Sequence, residues 1–185
     1  MERTAETFKG KLLISMPILS DPNFRQSVVL ICEHNTEGAL GLILNRPTEV
    51  GVSALIEDFP KLTGSDCVYA GGPVAKNGML ILCRSEGLFE GHTILKDVFL
   101  AKDLEELKTP GVLGPNGEIR CYLGYAGWAA GQLEGELEIG AWRPLPADSN
   151  LIFDAEPTLL WPQMMRRLGT EWAFYATLPL DPSMN

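Results

Sequence analysis

Cys32 and His34 stand two residues apart in an extended apolar run, Val28-Val29-Leu30-Ile31-Cys32-Glu33-His34. In a strand that spacing puts both on one face, where a thiolate beside an imidazole has the makings of a nucleophile and its base. Same-face neighbours along a strand lie roughly 6.5–7 Å apart at Cα, too far for a direct hydrogen bond. No third group to orient the imidazole is evident, so the preferred reading is structural: a buried Cys, and a His touching the turn at the strand end. Asn45-Arg46-Pro47 offers a second chemistry. Asn can satisfy open backbone groups at a strand end, and Arg can grip a carboxylate or phosphate with two prongs. Otherwise Arg46 pairs with an acidic residue such as Glu33.

Gly71-Gly72-Pro73 follows a short apolar stretch. It reads either as a nest of backbone N–H groups for an anion or as a tight turn crossed closely by another backbone. Gly124-Tyr125-Ala126-Gly127-Trp128 with Gly131-Gln132 sets two aromatics and an amide at a strand-to-helix passage. Such passages often line pockets, and a helix N-terminus attracts negative charge; the glycines otherwise make room for the rings in the core. The candidate ligand-binding residues are therefore Asn45, Arg46, Gly71, Gly72, Trp128 and Gln132, and none is assigned as catalytic. Glu134, Glu136 and Glu138 scatter around a helix and read as solvated surface. His92 stands alone and reads as a loop residue. With two His, four Cys and no ligand spacing, no metal is expected, and without a glycine-rich phosphate motif or Gly-x-Ser-x-Gly no cofactor or serine nucleophile is indicated.

The elements that must hold these residues are mostly strands. Strands are expected at 12–16, 27–34, 39–44, 68–70, 79–83, 93–95, 98–100 and 119–123, with Trp142 to Leu145 extended. Asn35-Thr36-Glu37-Gly38 is a hairpin turn, and Gly41 marks a bulge or a close backbone approach. Asp21 is placed to cap a short helical turn. Helical spacing predicts helices over 52–58, 104–108, 130–138 and 158–168, with Asp148 capping a short turn through Phe153 and Gly169 ending the last helix. Pro162 fits that helix only near its first turn. Residues 172–177 read as a final strand. The order lacks βαβ alternation, which points to an α+β fold with a mostly antiparallel, strongly bent sheet.

The chain has 185 residues, 45% hydrophobic and 21% charged, with a net charge of −9. Length and composition predict one domain, 1–185. No apolar run reaches membrane-spanning length, so no membrane partner is expected. The polar opening Met1-Glu2-Arg3-Thr4-Ala5-Glu6 lacks a secretory core, which predicts a cytoplasmic protein with reduced, mostly buried thiols. The acidic balance argues against direct nucleic-acid binding; the one tight basic pair, Arg166-Arg167, falls in a helix.

Several segments, taken in order, resemble the YqgE/AlgH family of bacterial proteins: Gly10 to Pro17, Asp21 to Phe24, Ser27 to His34, Gly38 to Pro47, Gly71 to Val74, Gly124 to Trp128, Gly131 to Glu134 and Pro146 to Asp148. The stretch from 76 to 118 matches least. The resemblance implies a bifurcated sheet curled into a pseudo-barrel with short flanking helices. It also brings the label of transcriptional regulator, from a link to alginate synthesis, but no catalytic residues. The sequence shows no helix-turn-helix or basic face in support of that label. The expectation is a binding or regulatory-accessory protein that acts through a protein partner and catalyses nothing. The alternative is an anionic or nucleotide-like small molecule, bound or turned over near Asn45, Arg46, Gly71, Gly72 and Trp128.

Overall fold

The computed structural model describes residues 7–57, 66–86, 91–101, 103–109 and 111–179. Among these residues ten strands form one sheet: β1 (Lys11–Ser15), β2 (Val28–Asn35), β3 (Gly38–Ile43), β4 (Pro47–Gly51), β5 (Cys67–Ala70), β6 (Val74–Arg84), β7 (His92–Leu95), β8 (Val98–Leu100), β9 (Glu118–Ala129) and β10 (Trp142–Pro146). The order along the main path is β10-β1-β2-β3-β9-β6-β8-β7. The sheet forks at β9. On one edge β9 pairs with β6; on the other, residues 121–123 meet β5 and residues 126–129 meet β3. Among the described residues, β5 against β9 is the parallel pairing and the others are antiparallel.

The sheet curls but is not closed. Its far strand β7 returns toward the start of β1, where a methyl group on Gly10 would sit 3.0 Å from Leu95, and His92 Nε2 lies 3.3 Å from the Cys32 carbonyl. Within the curl, Leu12, Ile14, Val28, Leu30, Leu42, Leu82 and Tyr122 pack against α3 (Ser149–Phe153) and α4 (Pro157–Leu168). Outside it, Leu13, Val29, Ile31 and Trp142 pack against α2 (Gln132–Glu138), while Val68, Ile81, Cys83 and Cys121 pack against α1 (Leu104–Leu107). A central strand covered on both sides must be apolar at every position, which is why Val28 to Cys32 shows no alternation.

Local chemistry sets the joints. Asp21 accepts from the Asn23 N–H at 2.8 Å, Asp103 caps α1 through Glu106 N–H and Asp148 caps α3 through Leu151 N–H. Gly38 turns the β2–β3 hairpin at φ +139°.

Several expectations are corrected. Ile31 pairs with Gly41 and Glu33 with Leu40, so Cys32 is an extra residue, a β-bulge. The bulge breaks the two-residue period: Cys32 lies in the inner core beside α4, and His34 turns to the α2 side. The two do not share a face. Residues 172–177 are not a strand but α5 (Thr170–Ala173) followed by one 3-10 turn, Tyr175–Thr177, with Trp172 and Tyr175 packed on the core. Tertiary packing of the rings on α4 outweighs their strand propensity. The helix expected at 52–58 is one 3-10 turn, Val52–Ala54, preceded by the unforeseen edge strand β4; residue 58 lies outside the described residues. Strand β9 runs through Gly124 to Ala129, so Trp128 sits in a strand and not at a strand-to-helix passage. His92 opens β7. Pro162 sits in the second turn of α4, beyond the first turn allowed for it.

Candidate functional site

The β3–β4 corner is built by a side chain in place of a ladder. Asn45 Oδ1 accepts from Val28 N–H at 2.9 Å, and its Nδ2 donates to the Gln26 carbonyl at 2.9 Å. The corner aims Arg46 away from the sheet. Its guanidinium donates to the Arg25 carbonyl, not to Glu33, and burial lowers its pKa from the ordinary value without removing its charge at neutral pH. Behind it the double glycine passes against β9. A methyl group on Gly71 would lie 2.3 Å from the Gly124 carbonyl oxygen, and one on Gly72 would lie 2.1 Å from the Tyr125 carbonyl carbon. Gly71 donates to the Leu123 carbonyl and accepts from Ile43 N–H, so it is a stitched crossing of chains. Arg46 and Gly72 line one cleft of about 230 Å³ with Pro22, Asn23, Pro73 and Lys76.

Trp128 and Gln132 lie elsewhere. The buried Trp128 indole donates to Glu136 Oε2 at 2.9 Å, Trp142 Nε1 donates to the same oxygen at 2.7 Å, and Gln132 Nε2 donates to Glu136 Oε1 at 2.8 Å. Gln132 also accepts from Ala129 N–H at 3.1 Å. Glu136, expected on solvated surface, is thus the polar anchor that fixes α2 to two tryptophans. Glu134 is likewise engaged, 2.9 Å from His34 Nε2, while His34 Nδ1 accepts from Phe8 N–H. The six candidates therefore separate: Arg46 and Gly72 share a cleft, Asn45 and Gly71 frame it from behind, and Trp128 and Gln132 belong to the α2 anchor.

A second pocket, of about 390 Å³, lies at the neighbouring Pro47 and is bounded by Cys67, Tyr69, Arg120, Phe153 and the start of α4. On its margin Arg84 is saturated: it pairs with Glu118, donates to Asp154 at 2.7 and 3.0 Å, and lies 5.2 Å from the Phe153 ring centre. Arg120 is 9% exposed, donates at 2.7 Å to the Phe153 carbonyl, and lies 4.9 Å from the Tyr69 ring centre. Among the described residues no carboxylate stands within 4 Å of it.

The AlgH-like family model matches residues 12–173. The chain belongs to the AlgH-like family. A UPF0301 protein of Streptomyces coelicolor is 40% identical over 182 residues, 95% of this chain and 94% of its own. One of Thermobifida fusca is 39% identical over 196 residues, 100% of this chain and 98% of its own. Among solved structures, the AlgH protein of Pseudomonas aeruginosa is 32% identical with a TM-score of 0.69, covering 97% of this chain and 98% of its own. A Corynebacterium diphtheriae protein is 26% identical with a TM-score of 0.78, covering 96% and 95%.

Nucleophile chemistry finds little support in the three buried thiols of this AlgH-like chain. Burial pushes Cys32, Cys83 and Cys121 up to about 12, which keeps them protonated at neutral pH. No group of His, Cys, Asp and Glu among the described residues is arranged to hold a metal ion, and no helix among them is long and apolar enough to cross a membrane.

Proposed function

We propose that this AlgH-like chain is a binding protein that catalyses no reaction of its own, and that it acts through a protein partner presenting an acidic group to the Arg46–Lys76 cleft. The observation that carries this reading is a local reversal of charge. The chain has a net charge of −9, yet this cleft is lined by two cations and no carboxylate. Arg46 is held by the Arg25 carbonyl, and Lys76 projects from the exposed first half of β6. Asp21, in the neighbouring turn, is directed to Asn23. A half-buried Arg keeps its charge where solvent competes less, which favours a two-pronged hold on a carboxylate. The same acidic balance disfavours nucleic acid as the partner, since long-range repulsion precedes any contact.

Affinity capture from native lysate, with wild type and Lys76→Glu in parallel, tests the reading. Lys76 is exposed, so its reversal leaves the fold intact. A stoichiometric partner held by the wild type and lost with Lys76→Glu is expected. Capture of no stoichiometric partner, or full retention by the variant, defeats it. A second reading, a free anionic or nucleotide-like molecule at the same cleft, is favoured by the two cations that line it, Arg46 and Lys76. A rise in melting temperature with nucleotides, abolished by Arg46→Ala, would favour it.

A further inference from the structure

Arg120 is placed where a lone cation is costly. It stands between Ile119 and Cys121 in β9, opposite Leu82 of β6, and is 9% exposed. Taking a guanidinium out of water is offset only when its donors are matched and its charge is met. The protein supplies the Phe153 carbonyl, the neighbouring Tyr122 hydroxyl, and the faces of Tyr69 and Phe153 at 4.9 and 5.8 Å, but no bonded carboxylate among the described residues. The nearby carboxylates Glu118 and Asp154 bond to Arg84, and Asp154 meets the Arg120 charge only at longer range. Burial raises the pKa of the neighbouring Tyr122 hydroxyl, and the Arg120 guanidinium, within side-chain hydrogen-bonding reach, offsets part of that rise. The pocket in front of Arg120 holds about 390 Å³, the lower range of small-molecule sites. Its walls are apolar at Tyr69, Phe153, Ala155 and Pro157. The twelve-residue helix α4 begins at the rim with Pro157, and its cap residue Glu156 makes no side-chain capping bond. The positive end of that helix therefore adds to the Arg120 charge on the same side.

We propose that this pocket binds a small monoanionic carboxylate carried on an apolar body. The planar guanidinium matches a planar carboxylate, and the body lies against Tyr69, Phe153 and Pro157. The rim carries Asp154 and Glu156, whose charge disfavours a dianion such as a phosphate monoester. The pocket is separate from the Arg46–Lys76 cleft: Tyr69 lines this one and the next residue of β5, Ala70, lines the other.

The test uses the full chain with phenylacetate and its neutral analogue phenylacetamide, followed by NMR titration and by the rate of Cys67 alkylation, since Cys67 lines the same pocket. Phenylacetate is expected to bind at least about tenfold more tightly than phenylacetamide, and to slow Cys67 alkylation. Arg120→Lys should weaken phenylacetate by about tenfold, because a point charge replaces a fork. Glu156→Gln, at an exposed position that leaves folding untouched, should tighten it by about two- to threefold. Arg46→Ala should leave it unchanged. Equal affinity for the two probes, no saturable binding at about 10 mM, or affinity unaltered in both Arg120→Lys and Glu156→Gln would overturn the proposal.

Discussion

Cys32 shows how one inserted residue changes the chemistry open to a side chain. Without the bulge, its thiol and the His34 ring would project together; with it, the thiol enters the core and the ring meets Glu134. Burial then holds Cys32, Cys83 and Cys121 as thiols, whereas Cys67 is half-buried in a pocket wall. Mass spectrometry after a short pulse of alkylating reagent at pH 8 should find Cys67 modified first and the other three only on unfolding. Asp154 gives a second prediction. Hydrogen bonds from Arg84 hold its carboxyl below the usual 3.8. A carboxyl depressed on folding contributes stability above its unfolded pKa and loses it as pH falls through the folded value. The melting-temperature gap between wild type and Asp154→Asn should thus be steady near neutral pH and close below about pH 3.8. Since this carboxylate is half exposed, solvent screening limits the gap to about 1 kcal/mol or less.

At the scale of elements, glycines divide by what surrounds them. A methyl group at Gly72 meets backbone of β9 at 2.1 and 2.3 Å, atoms that cannot step aside. Gly72→Ala should lower stability by about 3 kcal/mol or more, read from the urea midpoint. Gly135, inside α2, has nothing within 4 Å of such a methyl group, and Gly135→Ala should raise stability by about 0.5–1 kcal/mol. The short strands β7 and β8 and the caps at Asp21 and Asp148 were legible from apolar runs and cap chemistry alone. The segment 172–177 was not, because ring-rich residues suit a strand until a helix such as α4 offers them a surface. The bulge at Cys32 was hidden because a two-residue period assumes an unbroken register. Of the candidate site, the Asn45 clamp and the Gly71-Gly72 crossing followed from residue type, while the departure of Trp128 depended on β9 running past its glycines. Arg120 did leave a signal: a lone charge between Ile119 and Cys121 in an apolar strand is unusual and asks for a partner.

For the whole molecule, two features govern behaviour. The first is charge. At −9 the folded chain repels itself, and added salt screens that repulsion. The melting temperature should therefore rise as NaCl increases from low ionic strength to roughly 0.3 M, measured by calorimetry at neutral pH; a fall would mean that the Arg84 cluster outweighs the general repulsion. The second is the fork. Strand β9 is shared by the ladder that runs to β10 and the ladder that runs to β7, and among the described residues it joins three strands, β3, β5 and β6. Most of those pairings join residues far apart in the chain, which sets folding on the millisecond-to-second scale rather than faster.

That sharing has a consequence for anyone who cuts the polypeptide. A nick in the Asn35–Gly38 hairpin leaves a downstream piece that keeps β9 whole and can recruit the upstream piece through β3 and β10, the partners of β2 and β1. Cleavage at Gly124 separates the halves of β9, so neither piece retains a complete template for the other, and reassembly from two halves should succeed in the first case and fail in the second.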